Sequence, residues 1–127
     1  MKHTSTIDEA RRYLSKAKQI LSEKAVKEYG LYKDRKYVKM AGHTAYVGVL
    51  EALDVVLRKK AKGRKSVDWY KEELSLIDKK MLSLFVAAYD TLQLAMSYDG
   101  NLLAGVSGEG LDAAEKIIDW AEQKTAA

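Results

Sequence analysis

Two aspartates, a histidine and several tyrosines lie in apolar parts of this 127-residue sequence, and such residues could perform acid–base chemistry. Asp54 lies in LEALDVVL, and Asp90 lies in VAAYDTLQLAM. An ionised carboxylate is costly to bury unless it is paired, so each should face solvent or have a polar partner. The candidate polar pocket, between the second and third predicted helices, comprises His43, Tyr46, Asp54, Tyr89, Asp90 and Tyr98. The same side chains could instead form a network that fixes helix packing.

The spacing around these residues argues against several known kinds of site. No histidine or carboxylate stands three or four residues from His43, so a helical metal pair and the Glu-x-x-His pattern of di-iron bundles are absent. The glycines after Tyr98 do not form a dinucleotide-binding or phosphate-loop motif, and no serine elbow is present. We therefore expect no metal and no cofactor, and the balance leans away from an enzyme.

One short segment is strongly basic and could contact phosphates. In RKKAKGRK, residues 58–65, the six basic side chains are Arg58, Lys59, Lys60, Lys62, Arg64 and Lys65. Such a cluster favours nucleic-acid or nucleotide binding, although a solvated loop has the same composition. No aromatic residue is interleaved, so nothing in the segment indicates base stacking.

Composition and charge place the chain among small globular domains of the cytoplasm. The sequence has no cysteine, and its N-terminus lacks the apolar core of a signal peptide. The uncharged run Met81–Tyr89 is too short to cross a bilayer, so no membrane association is expected. Residues 1–65 carry a net charge of +10 and residues 66–127 carry −6, so the halves could pair within one bundle or between two copies.

Hydrophobic periodicity predicts one all-α domain over residues 1–127. Apolar residues spaced three and four apart predict helices over about 7–28, 35–60, 67–98 and 108–124. Short connections between long helices favour antiparallel neighbours, so the predicted fold is an up-down antiparallel four-helix bundle. The third helix is long enough to be bent or broken near Ala88.

Polar residues and glycines mark the predicted helix ends. Thr6, Asp34 and Ser66 are candidate N-caps, and Ser107 or Glu109 is expected to open the last helix. Tyr29-Gly30 is expected to close the first helix. In the segment Tyr98-Asp99-Gly100-Asn101, Gly100 can supply a left-handed C-cap, and Asp99 or Asn101 can bond the turn backbone. Tyr98 has no role in such a cap, so we expect it to donate to Asp54 or Asp90.

The second predicted helix presents small residues along one face. Its stripe consists of Val38, Ala41, Ala45, Gly48, Ala52 and Val55, with Gly42 beside it. Glycine inside a helix costs about 1 kcal/mol relative to alanine, so two glycines suggest a packing requirement. A close contact inside the bundle and a homodimer face both satisfy that requirement.

The segments KYVKMAGHTAYVGVLEALD, residues 36–54, and AYDTLQLAMSYDGN, residues 88–101, resemble an uncharacterised bacterial family. This family is the domain of unknown function numbered 5618, a small all-helical bundle, and the resemblance covers nearly the whole chain. The most specific features are the spacing of small residues in the first segment and the terminal Tyr-Asp-Gly of the second. The resemblance implies a fold and no activity.

The bundle also loosely resembles HEPN domains, which are nucleotide-binding helical bundles. Many HEPN domains are dimeric, and some are ribonucleases with an Arg and a His separated by four to six residues. Here His43 would require Arg at 36, 37 or 38, and those positions hold Lys36, Tyr37 and Val38. Arg35 is one residue too far away, so the nuclease motif is missing.

Three functions remain open on the sequence. The first is a non-enzymatic interaction module that binds a protein partner or forms a homodimer. The second is a HEPN-like bundle that binds RNA or a nucleotide through residues 58–65, with Lys33, Arg35, Lys36 and Lys39 contributing. The third is an enzyme that uses the Tyr/Asp/His pocket.

Overall fold

The structure, a computed structural model, describes residues 5–57 and 65–126, which fold as an all-α domain with one small hairpin. In chain order the elements are α1 (Ile7–Ile20), the π-helix π1 (Leu21–Ala25), β1 (Lys27–Glu28), β2 (Leu31–Tyr32), α2 (Arg35–Leu57), α3 (Val67–Ile77), α4 (Lys79–Ala88), the π-helix π2 (Tyr89–Tyr98) and α5 (Ala104–Thr125). The all-α prediction is confirmed. The four-helix division is not, because the described chain has five α-helices and two π-helical segments.

The helix starts predicted at Thr6, Asp34 and Ser66 are confirmed by capping geometry. Thr6 Oγ1 accepts from the Glu9 backbone N–H at 3.0 Å, and Ser66 Oγ accepts from the Trp69 N–H at 3.1 Å. Asp34 Oδ1 accepts from the Lys36 N–H at 3.0 Å. Each side chain replaces an intrahelical partner that the first turn lacks.

The first helix ends earlier than predicted, and a β-hairpin occupies the residues up to Tyr32. Val26 has φ +56° and ψ 116°, which stops π1 after Ala25. Glu28 pairs with Leu31, so Tyr29 and Gly30 form a two-residue loop. Both loop residues have positive φ, +54° and +79°, as a type I′ turn requires. Tyr29-Gly30 is therefore a hairpin turn, and the prediction that it caps the first helix is wrong.

The segment predicted as one helix over 67–98 is divided at Asp78. Asp78 has extended backbone, φ −162°, and its Oδ1 accepts from the Met81 N–H at 3.1 Å, so it ends α3 and caps α4. The chain then changes to π-helical hydrogen bonding at Tyr89, next to the predicted break near Ala88. Ile77, the last residue of α3, continues the apolar spacing of this segment and is nevertheless 49% exposed.

The turn after π2 is confirmed, and α5 begins earlier than predicted. Gly100 has φ +65°, and Asn101 Oδ1 accepts from the Leu103 N–H at 2.9 Å. α5 starts at Ala104, so Ser107 lies inside the helix, fully buried, and does not cap it. The segment before α5 also joins the hairpin, since the Tyr32 N–H donates to Leu102 O and the Ala104 N–H donates to Gly30 O.

α2 is the central helix, and its small residues serve the packing within the chain. A Cβ on Gly48 would lie 3.0 Å from Ala10 O, and a Cβ on Gly42 would lie 2.6 Å from Leu92 O. α1 and π2 therefore approach the backbone of α2 closely. α2 is also apolar and long enough to cross a membrane by length and composition, but half of its most apolar window is buried in the protein. This is the pattern of a core helix.

The basic and acidic halves of the chain meet between α1 and α5. Arg11 Nη2 lies 2.8 Å from Asp119 Oδ1 and 2.7 Å from Glu122 Oε1, and Lys18 Nζ lies 3.0 Å from Glu115 Oε1. These side chains are one third to one half exposed, so each pair stabilises the fold by about 1 kcal/mol or less. Charge pairing within one bundle, one of the two alternatives above, is present.

Candidate functional site

The six residues of the predicted polar pocket do not assemble into one site. Tyr46 and Tyr89 are in ring contact, with centroids 5.9 Å apart. His43 and Asp90 are exposed, and Tyr98 is 78% exposed. His43 and Asp54 are separated by 11 residues of α2, about 16 Å along the helix axis. No single small substrate can contact both of these side chains in this arrangement.

Asp54 has two partners that the sequence did not suggest. The Tyr70 hydroxyl donates to Asp54 Oδ1 at 2.6 Å, and Lys65 Nζ lies 2.9 Å from the same oxygen. The Lys65 side chain is only 11% exposed and passes over the rings of Trp69 and Tyr70, 5.3 Å and 5.9 Å from their centroids. The carboxylate is thus paired where it is partly buried, as its apolar surroundings require.

This cluster continues into an aromatic core. Tyr70 lies 5.7 Å from Phe85, and Phe85 lies 6.4 Å from Tyr46, measured between ring centroids. Burial raises the pKa of Tyr46 to about 12, and burial with the hydrogen bond to Asp54 raises the pKa of Tyr70 further. Both phenols stay protonated at neutral pH, so they act as packing and donor groups rather than as bases.

A simple signal could have identified the Asp54–Tyr70 pair. Residues 54 and 70 are equally distant from residue 62, in the middle of the predicted connection between two helices. In a helical hairpin, residues at equal distances from the turn lie opposite each other. The predicted pocket groups Asp54 with His43, Tyr46, Tyr89 and Tyr98, and it does not include Tyr70 or Lys65.

The predicted phosphate-binding segment falls mainly outside the described residues. Arg58, Lys59, Lys60, Lys62 and Arg64 belong to the part of the chain for which no structure is described. Lys65 is described, and its ammonium is occupied by Asp54. Lys36 and Lys39 lie in the first two turns of α2, at the opposite end of that helix from Leu57.

The outer face of the hairpin brings together exposed apolar residues from separate segments. Leu31 and Leu103 form a β-bridge and are 46% and 52% exposed, and Tyr29 at the hairpin tip is 97% exposed. Alternation along the strands puts Glu28, the cross-strand partner of Leu31, on the same face, and Lys33 Nζ lies 3.3 Å from Glu28 Oε2. We call Glu28, Tyr29, Leu31, Lys33 and Leu103 the outer hairpin face.

The Tyr29 side chain contributes little to the stability of the fold. A type I′ turn favours asparagine or glycine at this position, since other residues are strained at positive φ by about 1 kcal/mol. The ring is almost fully exposed, so burial does not offset that strain. Large apolar side chains kept exposed at such a position are typical of interaction sites.

The fold defines a small all-α domain with an inserted hairpin, and comparison with known proteins identifies its family. The chain belongs to the DUF5618 family, a domain of unknown function, whose model matches residues 5–123. It is similar to a protein of unknown function from Dyadobacter fermentans, with 52% identity over 94% of this chain and 95% of that chain and a TM-score of 0.87. No curated protein matched the chain. The predicted family is confirmed, and it assigns no activity.

Proposed function

We propose that the protein is a non-enzymatic interaction module that forms a homodimer through the outer hairpin face. The observation that carries this proposal is Tyr29, a strained and 97% exposed tyrosine beside two half-exposed leucines. Three chain segments are hydrogen-bonded together to present this surface. An exposed apolar patch of this kind is a common feature of protein–protein contacts.

The charges of the outer hairpin face support a second copy as the partner. Glu28 and Lys33 lie on the same face as Leu31, so the patch contains an acid and a base beside its apolar centre. A twofold axis through that centre can place Lys33 of one copy against Glu28 of the other, which makes the surface self-complementary. The small-residue stripe of α2 does not support the dimer, because α1 and π2 already cover it.

The proposal that the protein is an enzyme receives less support. The candidate acid–base residues do not share one site. The Asp54 carboxylate is already bound by the Tyr70 hydroxyl and the Lys65 ammonium. The burial of α2 against its neighbours favours a globular domain, and we propose that the protein functions in the cytoplasm. RNA or nucleotide binding through residues 58–65 remains a prediction from the sequence.

The dimer is tested by multi-angle light scattering over a concentration series. We expect the weight-average mass to rise from 14.2 kDa toward twice that value. Leu103→Ser should keep the protein monomeric over the same range, because it removes an apolar contact. Serine is also a favourable N-cap at the start of α5, so the variant should fold normally.

Leu76→Ser is the matched control, because Leu76 is a 78% exposed leucine in α3, away from the hairpin. It should associate as the unchanged protein does. A monomer at millimolar concentration would exclude the dimer. Equal effects of the two substitutions would exclude the outer hairpin face as its contact surface.

A further inference from the structure

The inner side of the hairpin forms a depression that the proposed dimer does not use. It has a volume of about 410 Å³ and lies between π1, the hairpin and α5. Small-molecule sites usually have volumes of about 300–1,000 Å³ and walls from several elements. A larger depression, of about 670 Å³, lies against α1, and within residues 5–57 and 65–126 its lining comes from that single helix.

Polar groups enter the smaller depression from two sides. Lys27 and Tyr32 are cross-strand partners, so their side chains project from the same face of the hairpin. Lys18 reaches the depression from α1 and is paired with Glu115. Lys27 has no ion pair within residues 5–57 and 65–126, whereas its neighbour Lys33 pairs with Glu28. An ammonium and a phenol are therefore available on one wall.

The rest of the described lining is apolar apart from Ser22, whose hydroxyl donates to Gln19 O at 3.2 Å. Leu21 forms a buried part of the wall, and Val26 and Leu111 contribute from the hairpin base and α5. A site with an apolar wall and one cationic edge suits a ligand that has an apolar body and one negative charge.

The backbone conformation of Val26 is an independent indication that the depression binds a ligand. Positive φ is a genuine outlier for a β-branched residue and costs about 1–3 kcal/mol. Glycine, which has no Cβ, adopts positive φ far more readily, yet the chain has a valine whose side chain is 44% exposed and lines the depression. Strain retained at the edge of a cavity is typical of binding sites.

We propose that this depression binds a small aliphatic carboxylate. The carboxylate accepts hydrogen bonds from the Lys27 ammonium and the Tyr32 hydroxyl. The aliphatic chain packs on Leu21, Val26 and Leu111. Burial raises the pKa of Tyr32, which keeps its hydroxyl a donor at neutral pH.

The proposal is tested by titrating the full chain with sodium octanoate, below its micelle concentration, and following backbone amide chemical shifts. We expect saturable shifts concentrated in residues 18–32 and near Leu111. Lys27→Gln should weaken binding about fivefold or more, as expected for the loss of a partly exposed charge-assisted hydrogen bond. Lys16→Gln, which changes an exposed lysine of α1 outside this depression, should leave the affinity unchanged.

Two further titrations make the result specific. 1-Octanol, which has the same chain and no charge, should bind much more weakly than octanoate. Val26→Gly should fold at least as well as the unchanged protein and bind octanoate more weakly, because an apolar wall is lost. Shifts that do not saturate, equal binding of octanol, or equal affinities of the Lys27 and Lys16 variants would overturn the proposal. Repeating the titration in Leu103→Ser separates ligand binding from self-association.

Discussion

The glycines of α2 and the two residues with positive φ in and beside the hairpin differ in how well residue type matches local structure. Gly42 and Gly48 lie where another element approaches the backbone of α2, and a side chain there would collide with it. Val26 and Tyr29 have positive φ, which residues with a side chain rarely adopt, and yet they carry large, exposed side chains. The helical core is arranged for close packing, whereas the hairpin retains strain.

This difference separates stability from binding within one small domain. In the core, residues that suit their backbone conformation and their neighbours contribute to stability. On a surface, a residue that does not suit its backbone conformation indicates a role other than stability. Both strained residues lie within a four-residue stretch, with Tyr29 at the tip as part of the outer hairpin face and Val26 at the inner depression. Substitutions in the two regions should therefore change stability in opposite directions.

The largest effect is expected for Gly42→Ala. Its Cβ would lie 2.5 Å from Met96 Cβ and 2.6 Å from Leu92 O, and the backbone of π2 must move to admit it. We expect the free energy of unfolding to fall by about 2–3 kcal/mol despite the higher helix propensity of alanine. Denaturant unfolding measures the change.

Gly108→Ala is the control for that substitution, because a Cβ at Gly108 meets nothing within 4 Å. It should raise the free energy of unfolding by about 0.5–1 kcal/mol through helix propensity. If both variants lose stability equally, close approach is not the reason for glycine in α2.

Tyr70→Phe is expected to lower the free energy of unfolding by about 1–2 kcal/mol, because Asp54 loses a hydrogen-bond donor. It should also change the pH dependence. The folded state raises the pKa of Tyr70, so its contribution is complete below the ordinary tyrosine pKa of about 10 and is lost as the pH rises above it.

Unfolding curves at pH 8 and pH 11 provide the measurement. The stability lost between these pH values should be smaller in the phenylalanine variant than in the unchanged protein. Equal losses would show that Tyr70 does not contribute to the alkaline decrease.

Val26→Gly should raise the free energy of unfolding by about 0.5–1 kcal/mol. Relief of the positive φ outweighs the greater entropy of glycine in the unfolded chain. Thermal unfolding checks this, with Val47→Gly in the middle of α2 as a comparison that must destabilise. A loss of stability in Val26→Gly would mean that the hairpin is not strained as described.

Arg11→Gln is expected to have the smallest effect, a loss of about 0.5 kcal/mol or less. The Arg11 side chain is 37% exposed, so solvent screens its pairs with Asp119 and Glu122. The loss should shrink further in 0.5 M salt. A loss of several kcal/mol would show that the pairing of charged halves, rather than close packing, holds α1 to α5.

Much of the helical core could be predicted from the sequence. The predicted packing stripe consists of Val38, Ala41, Ala45, Gly48, Ala52 and Val55. The first five are buried, and Val55 is partly buried. Their spacing repeats over several turns, so each residue supports the assignment of the others. Whether that face packed within the chain or against a second copy required the positions of α1 and π2.

The break at Asp78 and the hairpin could not be read from periodicity. Apolar spacing continues across Asp78, so the pattern hides a capping residue whose role depends on the local backbone. Each hairpin strand has only two residues, too few for an alternating pattern, and its turn contains Tyr29 in place of the usual asparagine.

The candidate site was predicted less well for a related reason. Polar residues in apolar runs are only candidates for a shared pocket, because position on a helix face decides whether their side chains meet. Exposed residues such as Tyr29 carry no periodic signal, and their significance depends on backbone angles and exposure.

The most direct test of the account is Tyr29→Asn, measured for both stability and association. At concentrations where both proteins are monomeric, we predict that the variant is more stable by about 0.5–1 kcal/mol, because asparagine suits a type I′ turn. At concentrations where the unchanged protein dimerises, sedimentation velocity should show the variant as a 14.2 kDa monomer. A variant that is less stable, or that dimerises as well as the unchanged protein, would contradict the claim that the hairpin retains strain for binding.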